Sequence, residues 1–218
     1  MCGIAGSNNR EVAFKLYQSN LNRGYYSSGS LLINTDKQYS INKTLGVFDK
    51  PVGALSSANK LSESKYYLYH SRGPTVETTE YIPENNHPFT YGDWIVAHNG
   101  IISNFKQLCE EYFPEENFEG ATDSCIIPRM LEVKTTVREA LETLEGTFAL
   151  WMYNKRHNAT YLARSSSTLF GSNLKGDFSS TEFEDSVPLK EGIIYSLYDY
   201  CCIVQAATFS SNSPYFII

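Results

Sequence analysis

The chain lacks what several protein classes require. It has no basic run: 18 Lys and Arg stand against 24 Asp and Glu, a formal net charge of -6. Binding a phosphate backbone takes clustered cations, so this balance argues against a nucleic-acid partner. No apolar stretch approaches the ~20 residues needed to cross a bilayer, so no membrane partner is expected either. The start has no charged segment leading into an apolar one, and glycine does not follow Met1. It therefore reads neither as a secretory signal nor as a myristoylation site. Five cysteines (Cys2, Cys109, Cys125, Cys201 and Cys202) form no CxxC pair. An odd, irregular set fits reduced thiols and a cytoplasmic setting. His70, His87, His98 and His157 are scattered without zinc-ligand spacing, so neither a metal nor another cofactor is expected.

What is present fits one α+β domain over residues 1–218. The hydrophobic share of 42% is ordinary and the aromatic share of 14% is high, so a substantial core is available. Residues 2–7 read as a short buried strand. Ser7-Asn8-Asn9 offers caps for a helix through Val12, Leu16, Tyr17 and Leu21, closing near Arg23-Gly24. Residues 30–34 and 38–43 read as a hairpin, 46–65 as loop with a short helix, and 66–71 as a strand stopped at Gly73-Pro74. A long polar loop leads to Tyr91, then 94–97 is a strand running into His98-Asn99-Gly100. Helical patterns cover 103–112, 123–133 and 136–144, with Pro128 expected to kink or delay the second. Strand patterns at 147–153, 160–163, 193–197 and 201–207 make the last third β-rich. Strands flanking a block of helices, without βαβ alternation, suggest antiparallel sheets with helices on their outer faces.

The candidate chemistry begins at Met1-Cys2-Gly3-Ile4-Ala5-Gly6. If Met1 is removed, Cys2 carries a thiol nucleophile and a free α-amine on one residue. An α-amine of pKa about 7.7–8.0 is roughly one-third neutral at pH 7.5, where only about one lysine in a thousand is. It is a usable base without tuning, and the thiol is a short proton transfer away. Asn99 and Gly100 offer a side-chain amide and a backbone N–H to a developing oxyanion. Asn-Gly is equally a hairpin-turn signal. Arg72 can clamp a carboxylate or stand solvated at a strand end. Asp123, in Thr122-Asp123-Ser124, can face an ammonium or belong to a helix cap. Arg23-Gly24-Tyr25 can be a plain turn, and His87-Pro88 can fix a loop.

Together these stretches resemble the glutaminase domain of class II (N-terminal nucleophile, Ntn) glutamine amidotransferases, in particular the glutaminase half of glucosamine-6-phosphate synthase. The matching residues are the first six, Arg23-Gly24-Tyr25 with Ser27 and Gly29, His70-Ser71-Arg72 and Thr75, and Asn86-His87-Pro88. His98-Asn99-Gly100-Ile101-Ile102 with Asn104, Thr122-Asp123-Ser124 and Ala163-Arg164-Ser165 follow in the same order.

The resemblance implies a four-layer αββα sandwich of two antiparallel sheets. It implies an enzyme in which Cys2 attacks the side-chain amide of L-glutamine, forms a γ-glutamyl thioester and releases ammonia for an acceptor. Asn99 and Gly100 are then the oxyanion hole, and Arg23 and Gly24 orient the nucleophile. Arg72, with Thr75 nearby, takes the α-carboxylate and Asp123 the α-ammonium, while His87 and His98 support from behind. The chain departs from the family pattern where Tyr26 replaces an acid, Gly73 a tryptophan and Val76 a histidine. The missing tryptophan bears on gating and ammonia channelling more than on hydrolysis itself. Family enzymes continue into an acceptor domain, so a separate acceptor protein is expected if the chain stands alone, with its apolar end, Tyr215 to Ile218, available to dock. The alternatives are a non-catalytic scaffold or regulatory subunit of the same fold, or an Ntn amidase for another amide.

Overall fold

The computed structural model describes residues 1–34, 36, 38–52, 65–73, 81–173 and 175–211. The chain opens with β1 (Gly3–Ser7), α1 (Arg10–Ser19), β2 (Ser27–Ile33), β3 (Tyr39–Leu45) and β4 (Tyr66–Arg72). Next come β5 (Phe89–Tyr91), β6 (Trp94–Ile102), α2 (Phe105–Tyr112), α3 (Ile126–Val133) and α4 (Val137–Glu142). It continues with β7 (Gly146–Asn154), β8 (Ala159–Ser165), β9 (Phe170–Gly171), β10 (Phe178–Ser179), β11 (Val187–Pro188), β12 (Ile193–Tyr198) and β13 (Cys202–Thr208). One sheet runs β11-β9-β10-β1-β4-β2-β3 and the other β13-β12-β8-β7-β6-β5, every named pair antiparallel.

Side-chain alternation builds the layers. In β7, Phe148, Leu150 and Met152 face the cluster of Ile126, Met130 and Leu141 from α3 and α4. Ala149, Trp151 and Tyr153 face the opposite way, with Ile95 and Ala97 of β6, onto Ile4, Leu31 and Leu68 of the other sheet. A strand buried on both faces needs an apolar residue at every position, which is what this run supplies. On the far side of the first sheet, Ala13, Phe14 and Tyr17 of α1 pack on Leu32, Tyr67 and Tyr69. The order is α1, sheet, sheet, α2–α4, the αββα sandwich that the resemblance implies.

Local chemistry sets the ends. Asn9 caps α1, its Oδ1 accepting from Glu11 N at 3.0 Å and Val12 N at 3.1 Å. The helix stops at Ser19, short of the expected Leu21, because Asn20 turns inward and donates to Leu16 O and Ser179 Oγ, each at 2.9 Å. Pro128 is the third residue of α3, where a missing N–H costs no intrahelical bond, and a 3-10 turn (Asp123–Cys125) precedes it. The helix is delayed rather than kinked.

Three differences from the sequence reading matter for the site. First, β2 begins at Ser27, because its small polar residues fill a fully buried strand. Second, β6 continues through Asn99 and Gly100, paired with Ala149 and Phe148, so Asn-Gly here is strand interior and not a hairpin turn. Third, the two-residue strands β9 and β10, too short to show periodicity, extend the first sheet beside β1. The expected short helix within 46–65, the turn at Thr35 and Lys37, Pro74, Thr75, Val76 and the apolar end at 215–218 lie wholly or mainly outside the described residues.

Candidate active site

β1 and β6 lie in facing sheets, and alternation decides what each sends into the space between. On β6, Ile95 and Ala97 point toward the first sheet, so Asn99 does too, while His98 points toward the helices. On β4, Tyr66 and Leu68 face the second sheet, which puts His70 and Arg72 on that same side. Cys2 lies two residues before Ile4, at the mouth of this inter-sheet space.

A cavity of about 290 Å³ opens there, lined by Cys2, Arg23, Asn99 and Gly100 together with Met1, Gly73, Ile101, Thr147 and Ser166-Ser167-Thr168. Residues from distant parts of the chain thus meet at one thiol. Arg23 Nε donates to Cys2 O at 2.9 Å, and its second nitrogen reaches Ser180 O at 3.5 Å. The Cys2 thiol donates to Gly73 O at 3.8 Å. Burial pushes the thiol pKa up, against lowering by the Gly73 backbone, the terminal amine and Arg72, and Asp123 raises it further.

Gly100 has φ +149°, and a Cβ there would collide with Thr147 O, so only glycine fits. Gly73 is equally confined: a Cβ would run into Met1 O and would stand 2.6 Å from Arg23 O. Gly73 thereby lets the Met1 and Arg23 backbones approach it. Gly24 packs against the Gly73 backbone from the other side.

Arg72 and Asp123 do not line the cavity, although both charges act on the Cys2 thiol. The Arg72 guanidinium donates to Asn85 O at 2.7 Å and lies 5.8 Å from the centroid of the Tyr26 ring. Tyr26 therefore covers the cation with a π face. Asp123 Oδ2 accepts from Ile102 N at 2.6 Å, which ties it to β6. Thr122 occupies the cap position of the 3-10 turn without a side-chain cap bond.

The histidines read as scattered come together, apart from His157. His70 and His87 stack with ring centroids 3.8 Å apart, and His87 lies 6.4 Å from His98. His98 Nδ1 is 2.9 Å from Ser124 Oγ, which donates to Asp123 Oδ1 at 3.4 Å. Its Nε2 is 3.2 Å from Thr147 O, the carbonyl beneath Gly100. His98 thus stands behind Asp123 and the Gly100 strand together. Burial lowers all three pKa values, that of His70 to about 3. Stacked rings offer faces to each other rather than converging nitrogens, and no group of three metal-capable side chains is found among the described residues.

Sequence reasoning missed Ser166-Ser167-Thr168, Thr147 and Ser180. None sits in a motif with its own chemical signal: Thr147 and Ser166 reach the site through strand pairing and the others through the segments beside the strands.

Residues 77–176 match the sequence model of the glutamine amidotransferase domain family. The glutamine–fructose-6-phosphate aminotransferase (isomerizing) of Halobacterium salinarum is 32% identical over 185 residues, covering 78% of this chain and 29% of that protein. The protein of the same name from Bacillus subtilis is 25% identical over 182 residues, covering 78% and 30%. The chain spans under a third of the length of these curated relatives. Among solved structures, the glutamine phosphoribosylpyrophosphate amidotransferase of B. subtilis superposes with a TM-score of 0.72 at 15% identity, over 96% of this chain and 49% of that one. A second, described as the allosteric regulatory enzyme of purine biosynthesis, gives 0.73 at 17% identity over the same shares. At such identities the structures speak for the fold, and the curated relatives speak for the sequence. On the sequence matches the chain belongs to the glutamine amidotransferase domains, and the superpositions show that it shares the fold of these amidotransferases.

Proposed function

We propose that this domain hydrolyses the side-chain amide of L-glutamine through Cys2 and delivers ammonia to an acceptor on another domain or protein. The observation that carries the reading is the shared cavity of Cys2, Asn99 and Gly100, with Arg23 holding the Cys2 carbonyl.

The working form has lost Met1. The α-amine of Cys2 takes the thiol proton as sulfur attacks the amide carbon, and the carbonyl oxygen becomes an oxyanion. Asn99 Nδ2 and Gly100 N–H donate to it; removing one such donor typically costs about 10²–10³ in rate. The protonated α-amine then gives its proton to the leaving nitrogen, and ammonia departs from a γ-glutamyl thioester. Water, deprotonated by the same amine, attacks the thioester and frees glutamate and the thiol. No cofactor enters this sequence. Free glutamine presents a carboxylate and an ammonium, for which Arg72 and Asp123 are the partners. Arg72 meets its share by exchanging the Asn85 carbonyl for the substrate carboxylate.

The test is glutamate release from L-glutamine by protein whose intact mass shows Met1 absent. Activity in that form, loss in Cys2→Ala and loss when Met1 is retained support the reading. Full activity with Met1 attached defeats the α-amine mechanism, and unchanged release by Cys2→Ala moves the nucleophile elsewhere.

A further inference from the structure

Ser180 follows the two-residue strand β10 and is 1% exposed. Its Oγ accepts from Ile4 N at 3.1 Å and from Asn99 Nδ2 at 3.4 Å. Its backbone N–H donates to Ile4 O at 2.8 Å. Its carbonyl accepts from Arg23 at 3.5 Å and from Thr168 Oγ1 at 2.9 Å. One residue therefore touches the strand leading from Cys2, the arginine that holds Cys2 O, a side chain of the cavity wall and the amide of Asn99.

We propose that Ser180 is a positioning residue that fixes the amide of Asn99 with its nitrogen toward the oxyanion. This deepens the glutamine reading and rests on it for the role of Asn99. The geometry supplies the reason. A terminal amide can present nitrogen or oxygen to the cavity, and only nitrogen donates. Ser180 Oγ accepts one N–H of Asn99 Nδ2 and leaves the other N–H of the same nitrogen for the substrate. The hydroxyl is itself fixed, because Ile4 N–H donates to it from β1 and the Ser180 backbone is bonded to that same residue. Asn99 is thereby referenced to the strand that carries the nucleophile, although it sits on the opposite sheet. A contact of 3.4 Å is long for such a bond. What it fixes is the place of Asn99 Nδ2, the atom of that side chain able to donate.

The experiment is a double-mutant cycle on processed protein, with glutamate release from L-glutamine as readout. Ser180→Ala should lower kcat about tenfold, a part of what losing the donor outright costs, and leave KM within about twofold. In an Asn99→Ala background the same change should lower kcat by less than about twofold, since Ser180 acts through Asn99. Ser180→Cys, which fills the same space with a weaker acceptor, carries the same expectation where Ser180→Ala does not fold. Independent, multiplying losses overturn the proposal, as does an unchanged kcat. A second readout does not need glutamine. The side-chain amide signals of Asn99 in a ¹⁵N spectrum, identified by their absence in Asn99→Ala, should move in Ser180→Ala or Ser180→Cys. If wild-type protein releases no glutamate, the glutamine reading fails, and these signals alone decide: unmoved, they overturn the role of Ser180.

Discussion

Arg23 Nε and the carbonyl oxygen of Cys2 are 2.9 Å apart, joining the turn after α1 to the residue that carries the thiol. The same guanidinium reaches Ser180 O at 3.5 Å, so one planar fork sets the spacing between β1 and the segment after β10. Partial burial lowers the Arg23 pKa, which marks the cost of placing a cation there. Lysine offers a single flexible point donor in place of the fork. Arg23→Lys should therefore lower kcat for glutamine by about 10-fold or more with KM little changed, consistent with loss of an interaction that matters in the transition state. Steady-state kinetics check this, and wild-type kcat in the lysine variant contradicts it.

Gly100 gives a second expectation. A side chain there meets strained φ and the Thr147 carbonyl in the middle of the β6–β7 pairing. Gly100→Ala should cost about 1–3 kcal/mol of stability and about 10² or more in turnover. Urea unfolding and glutamate release measure the two losses separately.

The thiol gives a third, readable in protein that retains Met1. Arg72 lowers the Cys2 pKa and Asp123 raises it. Arg72→Ala should therefore move the pH dependence of Cys2 alkylation by iodoacetamide to higher pH, and Asp123→Asn to lower pH. The absence of both shifts would show that neither charge acts on the thiol.

The histidine cluster gives a fourth. His70, His87 and His98 are held neutral by burial, with folded-state pKa values below the ~6.5 of an unfolded chain. As pH falls through about 6.5 the unfolded chain takes up protons that the folded one refuses, so stability present above that pH is lost below it. For His70 the loss continues down to about pH 3. Each imidazole contributes up to about 1.4 kcal/mol per pH unit to the slope. Unfolding free energies between about pH 6 and pH 4.5 should fall steeply, and His87→Phe should remove about one proton's share of that slope. An unchanged slope in His87→Phe would mean that His87 titrates normally.

Much of the fold was legible because its strands and helices obey local rules. The cap at Asn9, the apolar run of β7 and the delay before α3 at Pro128 follow from side-chain chemistry within a few residues. β9 and β10 were not legible, since two residues show no period and their pairing comes from β1 beside them. The Ser27 start of β2 was hidden for a different reason: serines fill a buried strand only where neighbouring strands and Asn86 satisfy them, as Ser27 Oγ does by donating to Asn86 Oδ1 at 2.9 Å. In the candidate site, Cys2, Arg23, Asn99 and Gly100, singled out in the sequence for their chemistry, line one cavity. Asn99-Gly100 looked like a turn because local preference favours one, and strand pairing with β7 overrides it. Ser180, Thr147 and the stacked histidines take their meaning from tertiary placement, which no spacing along the chain encodes.

The proposed reaction stands or falls on a thioester at Cys2. Processed protein mixed with radiolabelled L-glutamine and quenched in acid within one turnover should carry the glutamyl label on its N-terminal peptide, approaching one per chain where hydrolysis of the thioester limits turnover. Cys2→Ala should carry none. Turnover of glutamine with the label on another peptide, or with equal label on Cys2→Ala, would contradict the account.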